Sequence, residues 1–328
     1  MSPSRTVQFI DQLKTTEVRL LARSVFAPAL LTLLRIADKP LNSVGNVQHS
    51  IRDNYQASTV FNLDSYYKNW LNELDAQPQN LLQHLTQSTK KLGIYHENLW
   101  AYFLAHSGRT KLLAHNLKIR NANRDLGELD FIYQHEDYGF IHLEVACKFY
   151  LGSKPESRDW EYWLGPNRSD NLARKIHHSI KHQLPLSDHA LARQTIAQKF
   201  ADNKILLPDG IHKQLHIGGR LFYKNDGISK HNPLIAAPHL INPSHLKGKW
   251  LTHSQWCSLC ARNYPLSATI AEKPYWLDSS EHLLAANNNT DLEKIGKVEP
   301  NLLACKNSER STHFVFIVPD GWNEETPD

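Results

Sequence analysis

Cysteine is scarce: four in 328 residues, Cys147, Cys257, Cys260 and Cys305, too few and too scattered for a disulfide framework in a chain of this length. That scarcity fits a reducing compartment, and the expected location is cytoplasmic. Long apolar runs are missing as well. No stretch approaches the roughly eighteen apolar residues of a membrane-spanning helix, and Met1 to Asp11 has neither the basic start nor the apolar run of a signal peptide. No membrane partner is expected. There is no internal repeat and no low-complexity tract.

Missing motifs narrow the chemistry. Without a Gly-x-Ser-x-Gly elbow, serine hydrolase chemistry has no foothold. His178 and His182 have the spacing of a zinc ligand pair but lack the glutamate of a His-Glu-x-x-His protease. Gly218-Gly219 is not a phosphate loop. Cys257-Ser258-Leu259-Cys260, with His253 nearby and Cys305 distant, would need long-range help to hold zinc. A net charge of +4 permits a polyanionic partner but is no histone-like signature.

The chain does have 41% hydrophobic residues, enough for a real core, and nineteen histidines spread along it, most of which read as solvated surface residues. Thr15 to Ile36 reads as a pair of short helices interrupted at Pro28, and Asn42 to Thr59 as polar and irregular. Helices are expected from Asp64 and, after a break at Gln77-Pro78-Gln79, from Leu81 to Leu92. Glu97 to His106 puts Leu99, Trp100, Phe103 and Leu104 on one helical face. Extended segments come next over Lys111 to Ile119, Gly127 to Gln134 and Phe140 to Leu151, the last two joined as a hairpin by the turn His135 to Gly139. A helix with Asp170 at its start runs to His182 and stops before Pro185, and a second covers Ala190 to Phe200. Strands are expected at Lys204 to Leu207 and Leu215 to Tyr223. Beyond Lys224, Lys249 to Ala261 and Ser280 to Asn287 read as helical and His313 to Val318 as a strand.

The hairpin carries the chemistry. Asp130, Glu144 and Lys148 stand inside otherwise apolar β segments, and buried charges are costly unless they pair or hold a metal. Side chains alternate along a strand, so Glu128 and Asp130 share one face, as do Glu144, Ala146 and Lys148. Paired across the turn, Asp130 and Glu144 can bind one ion. Magnesium suits such oxygen ligands, and a lysine beside it would steady negative charge developing on phosphate. The competing reading is a structural network in which the carboxylates pair with Lys148, Arg120 or Arg124.

Three segments, Gly93-x-x-x-Glu97 opening a helix, Gly127-Glu128-Leu129-Asp130-Phe131, and His142-Leu143-Glu144-Val145 leading to Lys148, resemble the PD-(D/E)XK nuclease superfamily, closest to its resolvase-like branch. The whole chain also resembles a bacterial family known only as domain of unknown function 1853. The resemblance implies a restriction-endonuclease-like α/β core, a mixed central sheet flanked by helices, at residues 91–223. It would carry a helical lead-in over 1–90 and an α+β C-terminal extension over 224–328. It further implies Asp130, Glu144 and Glu97 around Mg²⁺ or Mn²⁺, with Lys148 as catalytic lysine. The family places acid and lysine two residues apart, whereas here they are four apart, about 13 Å of strand against about 6.6 Å, with Ala146 at the usual acid position. Parity is kept in a straight strand.

Lys154, Arg158, Trp160, Tyr162, Trp163 and Arg168 come after the hairpin, and interleaved bases and aromatics suit phosphates and stacked bases, or equally a loop packed on the core by its tryptophans. Lys175, His178 and His182 share a helical face, with Gln183 adjacent, that would track a phosphate backbone or face solvent. The expected function is a metal-dependent phosphodiester hydrolase acting on nucleic acid, DNA ahead of RNA, with Arg158, Arg168, Lys175 and His182 as contacts. The alternative is an inactive protein of the same fold that binds nucleic acid or a protein partner.

Overall fold

Pro28 decides the first departure from the sequence reading. After a short helix α1 (Arg5–Asp11), helix α2 (Thr16–Phe26) stops because the residue before a proline is driven out of the helical region, and Ala27 is extended with ψ 152°. The next element is not a second helix but strand β1 (Leu31–Arg35), in which Leu31 pairs with Ile217 and Leu33 with Leu215. A short apolar run takes either form, and here a strand partner decides it.

The structure, a computed structural model, describes residues 5–35, 55–57, 61–86, 88–89, 91–154, 158–202, 204–206, 210–224, 237–285, 294–307 and 311–324. The stretch from Asn42 to Thr59 lies outside these except for 55–57, which include β2 (Gln56–Ala57). The chain divides into two compact units, Met1–Cys147 with Lys175–Gly218, and Lys148–Arg174 with Gly219–Asp328. The fold is mixed α/β, built on a large sheet with parallel and antiparallel pairs.

In the first unit, helix α3 (Ser65–Ala76) starts at Asp64, whose carboxylate accepts the Tyr67 N–H at 3.0 Å. Helices α4 (Gln79–Thr86) and α5 (Leu92–His106) come next. Leu99, Trp100, Phe103 and Leu104 of α5 are fully buried among rings that include Phe61 and Phe26. Strands β3 (Thr110–Asn121), β4 (Arg124–His135) and β5 (Gly139–Gly152) run antiparallel, with Phe131 opposite Leu143 and Tyr133 opposite Ile141. Helix α6 (Leu172–His178) does not end at His182. It continues through a π turn, Ser179–Gln183, and a last turn, Leu184–Leu186. The wider turn accommodates Pro185, which offers no N–H. Asp170 is not the cap, since Asn171 Oδ1 accepts the Arg174 N–H at 2.7 Å. Helix α7 (Ala190–Asp202) lays Ala192, Ile196 and Phe200 on Leu113, Leu129 and Ile132 of β3 and β4. Lys204 to Leu206 form no strand, because Lys204 is left-handed at φ 56° and Leu206 is 91% exposed. Leu207 lies outside the described residues.

In the second unit, the far ends of β5 and of β7 (His212–Lys224) continue the sheet. β6 (Trp163–Leu164) pairs with β5, and β8 (Leu246–Thr252) runs parallel to β7. The helix expected from Lys249 begins only at α8 (His253–Cys260). There Thr252 and Gln255 form a capping box that marks the boundary. β9 (Ser267–Ile270), α9 (Ser280–Ala285), β10 (Asn301–Lys306) and β11 (Thr312–Val318) complete it, with β11 parallel to β8.

Five of the histidines are not at the surface. His96, His135, His142, His216 and His245 are buried, and desolvation pushes His96 down to about 3 and His216 and His245 to about 4. Among the described residues no helix is long and apolar enough to cross a membrane.

Candidate active site

The β4–β5 ladder ends where the charged residues begin. Its last paired residues are Phe131 and Leu143, and continuing that register would set Asp130 opposite Glu144. Here the carboxylates take the backbone bonds instead: the Asp130 N–H donates to Glu144 Oε1 at 3.3 Å, and the Val145 N–H to Asp130 Oδ2 at 2.9 Å. Two acids are thereby locked face to face between parting strands.

Glu144 is fully buried, and both of its oxygens accept hydrogen bonds. His142, two residues earlier on the same strand face, donates from Nε2 to Glu144 Oε1 at 2.8 Å, and Gln183 Nε2 donates to Oε2 at 2.5 Å. Gln183 is placed in turn by Ser179 Oγ (2.8 Å) and Lys175 Nζ (2.9 Å), both donating to its Oε1. His142 Nδ1 lies 3.1 Å from Ser187 Oγ. Ser187, His142 and Glu144 have the order of a nucleophile, base and acid, yet all are buried, at 4%, 0% and 0% exposure. No substrate reaches that serine, so the chain of bonds holds the Glu144 carboxylate in place. His142→Ala would take a buried hydrogen bond from Glu144 and another from Ser187 and is expected to cost about 2–4 kcal/mol, read as a lower denaturant midpoint at constant slope.

Asp130 is half-buried. Burial first, then the Glu144 carboxylate and more weakly Glu97, push its carboxyl up to about 8, against the Val145 N–H and Lys175, which favour the charged form. Glu97, half-buried on α5, is also raised, by burial and then by Glu128 and Glu144. Thus Asp130, Glu144, Glu97, Glu128 and Lys175 meet in one electrostatic neighbourhood. Neither Arg120 nor Arg124 pairs with the acids; both are exposed. Among the described residues no three His, Cys, Asp or Glu side chains already form a metal cage.

Lys148 and the expected nucleic-acid contacts have surroundings of their own. Lys148, in the second unit, donates from Nζ to Asp170 Oδ2 at 2.7 Å, and the Tyr150 hydroxyl donates to the same oxygen at 3.1 Å. Trp160 and Trp163 are buried at 3% and 1% exposure, so they pack the core and stack on no base. Arg158 is exposed, its Nε donating to the Ala237 carbonyl at 3.2 Å, and Arg168 is half-exposed. His178 and His182 stay on the α6 face, their rings 5.5 Å apart. The sequence reading missed His142 and Ser187. For His142 the period-two spacing from Glu144 was the available signal.

A family model matches residues 19–317, named Domain of unknown function (DUF1853). The chain belongs to that family. Comparison with curated proteins gives no match, and comparison with solved structures gives none either.

Proposed function

We propose that this chain is a metal-dependent phosphodiester hydrolase of the restriction-endonuclease-like fold, acting on nucleic acid. The observation behind it is the Asp130–Glu144 pair, two carboxylates facing each other at partial or full burial with, among the described residues, no Lys or Arg ion pair of their own. Two acids kept that close hold on to a proton or take up a cation in its place. Asp130 and Glu144 would hold the ion, with Glu97 adding negative potential. Bound there, a divalent cation supplies charge to a phosphoryl group and makes a water more acidic.

The chain's own residues do the rest. His142 and Gln183 keep Glu144 in one rotamer, so the carboxylate is ready without reorganisation. Lys175, held against Gln183, brings a positive charge beside the acids where a phosphate would come. Lys148, expected as the catalytic lysine, is held in an ion pair with Asp170. That ion pair favours a second reading, a protein of the same fold that binds nucleic acid without cutting it.

A panel of single- and double-stranded DNA and RNA, incubated with Mg²⁺, Mn²⁺ or EDTA, separates the two. Hydrolysis is expected only with metal. Binding without cleavage, lost on substituting Arg158, Arg168 and Lys175 and falling steeply with salt, would establish the second reading.

A further inference from the structure

Helix α8 in the second unit carries a different chemistry. His253 and Cys257 are four residues apart and therefore neighbours on one face, with His253 Nε2 3.6 Å from Cys257 Sγ. His253 Nδ1 lies 2.8 Å from the Ile295 carbonyl. A carbonyl only accepts, so Nδ1 carries the hydrogen, and in the neutral ring Nε2 keeps its lone pair for the thiol. Nucleophile, base and orienting group are thus in sequence, the arrangement that activates cysteine in nucleophilic catalysis. Beside them, Ser254 donates to Asp320 from Oγ at 2.5 Å and from N–H at 3.0 Å. Those bonds hold the Asp320 carboxyl below the usual carboxylate range.

The other thiols of this unit differ. Cys305 is fully buried in the apolar cluster with Trp256, Leu303 and Ile317, where burial pushes its thiol up to about 12. Cys260 packs against the same cluster and is raised by burial and by Cys257. Cys257 is half-exposed and lies outside that cluster.

We propose that Cys257 is a His253-activated thiol that reacts with hydroperoxides. The thiol proton passes from Sγ to His253 Nε2. The thiolate attacks the terminal peroxide oxygen, forming an S–O bond as the O–O bond breaks, and the leaving oxygen takes the proton back from His253 to depart as water or an alcohol. Sulfur is oxidised by two electrons to a sulfenic acid, and the peroxide is reduced by the same two.

The test uses the reduced full-length protein with one equivalent of hydrogen peroxide and dimedone as sulfenic-acid trap, each cysteine being read by peptide mass. The dimedone adduct is expected on Cys257 at a rate at least about tenfold above Cys260 and above Cys257 itself in urea, and to fall about tenfold in His253→Asn. Equal rates for Cys257 in the folded and urea-unfolded chain would overturn the proposal without any variant. So would a His253→Asn protein of unchanged thermal midpoint that keeps the wild-type rate.

Discussion

Asp130→Asn is expected to raise the stability of the metal-free protein at pH 8 while abolishing Mg²⁺-dependent cleavage. The first effect follows from linkage. The Asp130 carboxyl sits at about 8 in the folded chain, above the ordinary value of 3.8. Between those values the folded state keeps a proton that the unfolded chain has released, so the stabilisation is complete below about pH 4 and is lost as pH rises through about 8. Each tenfold difference in proton affinity is worth about 1.4 kcal/mol. An uncharged amide escapes that loss, and its stability should be flatter over this range. The second effect follows from the proposed ion site: without the Asp130 oxygens the rate should drop by about 10³-fold or more, and Glu144→Gln should match it. Thermal melts from pH 5 to 9 with and without Mg²⁺ read both. Wild type should gain from Mg²⁺ increasingly as pH rises, since the ion displaces the proton, and Asp130→Asn should gain nothing. A wild-type midpoint indifferent to Mg²⁺ at pH 9 would sink the metal site, and with it the hydrolase.

The hairpin holding these acids was legible in the sequence because its signals are local. A short turn at Glu136 to Gly139 and alternation on both sides fix the register, and a charge inside an apolar run marks itself. The support of Glu144 was not legible. Gln183 comes from a helix whose π turn no local pattern announces, and Ser187 from the turn after it. Burial of His96 and His216 depends on α5 and β7 meeting, with Trp100 between them, which no window of sequence contains. β1 failed for the opposite reason: its leucines suit either period until β7 supplies the partner. The tryptophans at Trp160 and Trp163 had two readings of equal merit, and only their burial separates them.

Gly219 was visible as half of a glycine pair inside a strand, and its expected effect is the largest on folding. It lies at φ +112°, a region that side chains rarely adopt, and a Cβ built there would come 1.8 Å from the Lys148 carbonyl oxygen and 2.7 Å from its carbon. Those are backbone atoms of a neighbouring strand and cannot turn aside as a side-chain tip would. Gly219→Ala must therefore push β7 away from the Lys148 peptide, combining strain with lost sheet bonds, and is expected to cost at least about 3 kcal/mol. Gly93, the glycine opening the Glu97 helix, is the matched control. A Cβ there meets nothing within 4 Å, and in a helix Gly93→Ala should add about 0.5–1 kcal/mol. Urea midpoints of the two variants should thus move in opposite directions. A Gly219→Ala midpoint equal to that of wild type would show that β7 yields beside Lys148 and that the close approach costs nothing.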